Sequence, residues 1–471
     1  MSAAVPAAVS VAGPRVPRVN IDDLVWQKDW HGGVPPRLVE EILERGGLEV
    51  LVEAARERGD WFCAEGAVRG LCADGEFARA WAVVEPFTAT GWQPAIRAGA
   101  DVLLRWGRVE QALELAHPPG PGAEPGDAWP DYAEVLVGAG RVDEAIDALV
   151  PYLGERGVLQ ALVRITEGQD RDDRLLELLT PVAEEFSRDP RQCGIGDLWY
   201  ALSARTTVLE RSGRADEAMS LLGADVAARR YGPENTVDFH AELLARHGRI
   251  EPLRELATRT RNPKAVRAYV TTLEDLGRAA EAETYLRGFH DPAAGPDNFM
   301  VALQEFLIRQ DRLDEAVQVV GHTFDDLYES LLQSTMILMA EQGHPDKAVQ
   351  LTEGRSPEFL EENERYWLRS NRWWLMGEAG RSREAIAEIE ALPPDEVDDL
   401  EVTIAWLLAR DDRTEEAVAL LRRCPGSQAA TDLARLLVRQ GRCAEAVAVI
   451  PDVSTQRAEN RRLLGKGKEA E

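Results

Sequence analysis

The side chains able to carry chemistry are scattered along this chain, and their spacing argues against most reactions. Seven histidines stand at 31, 117, 240, 247, 290, 322 and 344. His240 and His247 are two helical turns apart and would share a helix face. A metal site there needs more donors, and Glu242 and Glu251 are the only convenient ones. Surface histidines are the simpler reading, so no metal is expected. The carboxylates between Glu167 and Asp173 lack the Gly and terminal Glu of a calcium loop and read as a solvated turn. Gly465-Lys466-Gly467-Lys468 lacks the spacing and preceding strand of a phosphate loop. Carboxylate pairs abound in an acidic helical chain, and none stands out as an acid/base pair. No nucleophile, phosphate or cofactor motif is present, so the chain reads as non-enzymatic and without a cofactor.

One cluster is unusual. Tyr366, Trp367, Trp373 and Trp374 lie among Arg365, Arg369 and Arg372. Trp and Arg are favoured anchors of protein interfaces. Trp367 and Trp374 are seven apart and can share a helix face. The cluster can be a wall of a peptide groove, or it can be packing between helices, which has the greater weight. Trp26 and Trp30 read as a cap over the first helices.

The elements that would position these residues follow from composition and repetition. Ala, Leu, Glu and Arg dominate and strand-like runs are scarce, which predicts an all-α fold. The net charge of −28 opposes binding to nucleic acid, because that affinity comes from Lys and Arg displacing counterions. It also disfavours anionic membranes, and no apolar run reaches the roughly 18–20 residues that span a bilayer. Cys63, Cys72, Cys193, Cys424 and Cys443 are odd in number, with no C-x-x-C pair. They fit neither a disulfide framework nor a zinc site, and they suit a reducing cytoplasm. The N-terminus lacks the basic region of a signal peptide.

A phrase of Gly-Arg followed by Glu-Ala returns along the chain, as in Gly107-Arg108-Val109-Glu110-Gln111-Ala112 and Gly140-Arg141-Val142-Asp143-Glu144-Ala145. Further copies start at 213, 277, 380 and 441, with looser ones at Gly75, Asp170, Gly248, Asp311, Gly343 and Asp412. The twelve starts are spaced by about 33 residues on average, near the ~34 of two-helix solenoid units. The Gly should end a first helix by entering the left-handed region, and Asp tolerates that region better than most side chains. The Ala five residues later should let two antiparallel helices approach closely, with Leu175 and Leu253 as the exceptions. The Leu or Met four residues before the Gly should face the same seam.

This phrase resembles the middle of a tetratricopeptide repeat, over roughly residues 60–450. The resemblance implies a right-handed α-solenoid of about twelve stacked antiparallel helix hairpins, with first helices lining an inner face that holds a protein or peptide. On that face it places Trp367, Asn371, Trp374 and Trp406, with Arg267 and Arg309 as nearby basic residues; these six are the candidate partner contacts. The small residue of the first helix is Ala100, Ala133, Ala405 and Ala434 in some copies. It becomes Val68, Val270, Met336 or Trp373 in others, which predicts splayed helix pairs there and an irregular stretch near 330–390. The Lys and Asn pairs with which some relatives grip a C-terminal carboxylate are replaced here by Asp131 and Glu134, or by Ser203 and Thr207.

The expected organisation is a disordered tail over 1–20, capping helices over 21–58, the repeat array over 59–453 and a charged tail over 454–471. Loops are expected near 117–128, 187–196 and 290–297. The expected role is a cytoplasmic scaffold or adaptor that binds a protein or peptide segment in a concave groove. The alternative is a regulatory or sensor protein that binds a small signal or peptide and controls a separate effector.

Overall fold

Each repeat is built around its turn. In the computed structural model all twelve predicted turn residues have positive φ, from 53° at Asp170 to 86° at Gly343. The turn is closed by two backbone bonds. In the copy at Gly107, Arg108 N–H donates to Leu103 C=O at 2.8 Å and Gly107 N–H donates to Leu104 C=O at 2.9 Å. The first of these bonds recurs at Leu209, Leu273, Leu307, Met339, Met376, Leu408 and Leu437. This is the Schellman pattern, which satisfies carbonyls that a helix end leaves orphaned. The Leu or Met four residues before the turn therefore serves twice, as carbonyl acceptor and as seam residue.

The seam is as predicted. Ala80, Ala112, Ala145, Ala218, Ala282, Ala316, Ala348, Ala385, Ala417 and Ala446 have no solvent-exposed surface, and neither do Leu175 and Leu253. Ala100, Ala133, Ala405 and Ala434 are equally enclosed, and Val68, Val270, Met336 and Trp373 are buried in the corresponding slots. First helices start with Pro in the first turn, as at Pro36, Pro94 and Pro263, or with side-chain caps. Asp60, Asn262 and Asp297 accept from the amides of Cys63, Ala265 and Met300.

The structure describes residues 19–118, 128–188, 195–228, 234–289, 297–320, 329–352, 362–393 and 400–469. Most of the three expected loops and nearly all of the 1–20 tail lie outside them. Every regular element among the described residues is helical. The fold is an all-α repeat solenoid of antiparallel hairpins. The chain divides into two compact units, Arg141–Glu388 and a second made of Met1–Gly140 with Ile389–Glu471.

Within Arg141–Glu388 the stacking follows the chain, from the Asp170 turn to the Gly380 turn. The other unit has helices over 21–58, where capping helices are expected, and departs from the sequence reading over 454–471. Residues 21–58 comprise a helix, Ile21–Trp30, and a further hairpin, Pro36–Glu44 with Leu48–Arg58. That hairpin turns at Gly46 with φ 74°, like the twelve. The phrase is disguised there because Gly47 stands in the Arg slot and a fully buried Leu51 in the Ala slot. The segment from 454, expected as a charged tail, is the helix Val453–Glu469. Its charges conceal two inward residues, Val453 and Gln456, both buried. Helix Pro36–Glu44 packs on Ser427–Arg439, Leu48–Arg58 on Cys443–Val449, and Ile21–Trp30 on Val453–Glu469. First helix thus meets first helix and second meets second, as between neighbours in sequence.

Two substitutions test the seam. Ala145→Trp or Ala282→Trp should overpack it and cost about 1–3 kcal/mol in chemical denaturation. An unchanged midpoint in both would contradict this packing. Gly277→Val should lower the melting temperature, because a β-branched residue does not tolerate the φ of 71° found there.

Candidate partner-binding surface

The hairpin seam consumes one side of each first helix. In the Arg141–Glu388 unit successive first helices are also joined to one another by a lattice of ion pairs. Arg267 on Pro263–Asp275 makes a two-pronged contact with Glu305 on Asn298–Arg309, at 2.6 and 2.8 Å. Arg309 on the latter helix reaches back to Glu274 on the former, at 2.7 Å. Arg246 and Glu210 repeat this Arg309–Glu274 geometry two repeats earlier, at 2.8 Å, and Lys264 meets Asp238 at 2.8 Å between the intervening pair of first helices. Arg246 holds the Glu210 carboxyl below its usual range, helped by His247. The other unit shows the same habit, with Arg97 paired to Glu134 at 2.8 Å.

Arg267 and Arg309, predicted as basic contacts for a partner, are thus already bound to carboxylates of the neighbouring helix. They join adjacent repeats, and a ligand must compete with Glu305 and Glu274 for them. Such pairs are worth about 0–1 kcal/mol when exposed, so the lattice sets register more than it adds stability.

The helix Glu362–Glu378 carries a different surface. Trp373 is sunk into the core at 3% exposure, in the slot the repeat usually gives to a small residue. Trp367 and Trp374 are half-buried, on the side away from the seam, with Ser370 and Asn371 between them. Asn371 Nδ2 donates to the Trp367 carbonyl at 2.9 Å, so this amide donor is engaged within its own helix. Arg372 is held inward by Glu388 at 2.9 Å and by Thr352 Oγ1 at 2.9 Å. The cluster therefore divides. Trp373 and Arg372 are packing, while Trp367 and Trp374 keep accessible ring surface. The side chains of Arg365 and Tyr366 lie outside the described residues. In the other unit, Trp406 on Glu401–Arg410 is also half-buried, and the Arg410 guanidinium lies 4.8 Å from its ring centre.

The histidines weighed as ligands have separate surroundings. His247 pairs with Glu210 at 3.0 Å. His240 is buried, packs close to Gly223, and its Nδ1 has no hydrogen-bond partner among the described residues. Burial, with the Arg259 charge adding to it, lowers the His240 pKa to about 4. Among the described residues no group of three His, Cys, Asp or Glu is placed to hold a metal ion. Cys63, Cys72, Cys424 and Cys443 are free thiols. Cys424 donates to Glu401 at 3.1 Å, and burial with that contact pushes its pKa up to about 11. No described helix is long and apolar enough to cross a membrane.

No known sequence family matches the chain, and no curated protein does. Solved structures with similar helical courses include Naa15/Naa10 bound to HypK-THB, at 13% identity over 82% of this chain and 67% of that one, with a TM-score of 0.33. The pentatricopeptide repeat protein PPR10 with an 18-nt psaJ RNA element matches at 14% identity over 82% and 68%, with a TM-score of 0.32. The APC/C hetero-tetramer Cut9-Hcn1 matches at 12% identity over 89% and 94%, with a TM-score of 0.23. The solenoid assignment rests on the turns and seams described above.

His240 gives a pH signature. An unfolded histidine titrates near 6.5, whereas the folded one stays neutral until about pH 4. Its contribution is therefore present above pH ~6.5 and lost as pH falls toward 4, by up to about 3 kcal/mol. Denaturation at pH 7 and pH 4.5 should show this loss, and His240→Leu should reduce the slope by one proton; an equal slope in the variant would contradict it.

Proposed function

We propose that this chain is a non-enzymatic scaffold or adaptor that holds a protein or peptide segment against the exposed side of its first helices. The observation that carries the reading is the asymmetry of Glu362–Glu378. A helix that sinks Trp373 to 3% exposure leaves two other tryptophans, Trp367 and Trp374, only half-buried on an adjoining face. Exposed aromatic area is costly in water and is the commonest anchor of an interface. Trp367, Asn371 and Trp374 are the proposed contacts in this unit, and Trp406 is one in the other. Arg267 and Arg309 enter only if a partner's acidic groups displace Glu305 and Glu274. The net charge of −28 supports a protein partner over a nucleic acid. The same charge and the free thiols support a cytoplasmic setting.

A regulatory protein that holds a small signal or peptide and controls a separate effector is the second reading. In the Arg141–Glu388 unit, a shallow cavity of about 540 Å³ is lined by Glu251, Arg254, Glu255, Thr258, Arg259 and Phe289. It is large enough for a small molecule and keeps this reading open.

Photo-crosslinking from position 374 in the source cell, with wild-type protein as competitor, tests the first reading. One partner should be captured. Trp367→Ala with Trp374→Ala should weaken its binding at least tenfold, as loss of two interface anchors implies, with the melting temperature within a few degrees of wild type. Unchanged affinity in that double variant would remove this surface from the function.

A further inference from the structure

We infer that the two ends of the chain are fastened to each other by a polar clasp, and that this non-covalent seam is where its unit opens first. Successive hairpins are tied to their neighbours by the chain itself. Between the Ser427–Val449 hairpin and the Pro36–Arg58 hairpin there is no such tie, yet the helices stack there as everywhere else. What replaces the peptide link is a set of directed hydrogen bonds.

Arg58 supplies the first part. Its guanidinium donates to the carbonyl of Val447, to that of Ile450 at 2.7 Å and to that of Pro451 at 2.9 Å. These carbonyls belong to the end of Cys443–Val449, where a helix has unsatisfied acceptors and negative partial charge. A cation from one end of the sequence thus caps a helix at the other. Gln456 supplies the second part. Its amide accepts from Gly33 N–H at 3.0 Å and donates to Gly33 C=O at 3.3 Å and to Pro451 C=O at 2.9 Å. It pairs with Gly33 as a strand residue would. Arg457 adds an ion pair with Asp23.

Two glycines lie on the N-terminal side of this junction. A Cβ built on Gly33, whose φ is 86°, would lie 2.5 Å from Asp60 Oδ2 and 3.0 Å from Gln27 Oε1. Both neighbours are themselves committed: Asp60 accepts from Val34 and Cys63 amides, and Gln27 accepts from the Trp61 amide. A Cβ on Gly47 would lie 2.5 Å from Ile42 Cγ2 of its own hairpin, and in ordinary contact, 3.4 Å, with Cys443 Cβ across the junction.

Arg58 is half-exposed, so water competes for its bonds. A seam held by such contacts and by no peptide link opens at lower free energy than one closed by the chain. A molecule that takes hold of either end would shift the unit between its fastened and open forms.

Hydrogen exchange on the full chain tests this. The Gly33 amide and those of Val453–Arg457 should exchange together, faster than those of Trp61–Thr88. Arg58→Ala should raise exchange at both clasp segments at least tenfold and leave Trp61–Thr88 unchanged. Asp23→Asn, a milder change, should give the same pattern at a few-fold. A rise spread equally over Trp61–Thr88 in both variants, or no rise at the clasp segments in either, would overturn the clasp.

Discussion

The fold depends on a turn that only a few residues can make, followed five residues later by a side chain enclosed in the seam. Positive φ sends the chain back on itself, and the enclosed Ala or Leu fixes how near the returning helix comes. A single hairpin has apolar surface it cannot cover alone, so each must stack on the next. Twelve such turns therefore specify serial stacking without any long-range instruction, and the remaining positions are released for other uses.

That local logic explains what was legible in the sequence. The turns, the Ala seam and the Leu or Met facing it were readable because each is set by residues within a few positions of one another. Where Asp stands for Gly, at 170, 311 and 412, the φ values of 53°, 59° and 60° are lower than those of most of the glycine turns, yet the turn persists. The Gly46 hairpin was hidden because both of its diagnostic slots are filled differently. The clasp was hidden for a deeper reason. Arg58, Gly33 and Gln456 are ordinary residue types, and their partners lie hundreds of positions away, so no spacing rule joins them. The helix from Val453 was read as a tail because its charged residues outnumber the two that point inward.

The candidate surface was legible only in part. The expected face of Trp367 and Trp374 could be counted from the turn at Gly380, and both residues are half-buried. The engagement of Asn371 within its own helix and the pairing of Arg267 and Arg309 could not be counted in this way. They depend on which side chain the neighbouring helix offers, Glu305 and Glu274 in the second case. The overall charge of −28 also conceals this local neutralisation. Many of the chain's arginines are thus engaged in register and turns.

The most direct measurement of the stacked-hairpin account is residue-resolved hydrogen exchange across the whole chain. Fast-exchanging amides should recur just after the turns, at Phe77, Val109, Val142 and onward, separated by slow helices, with a period of about 33 residues. A protection profile without that period, in which the chain exchanges as one undivided cooperative block, would contradict it.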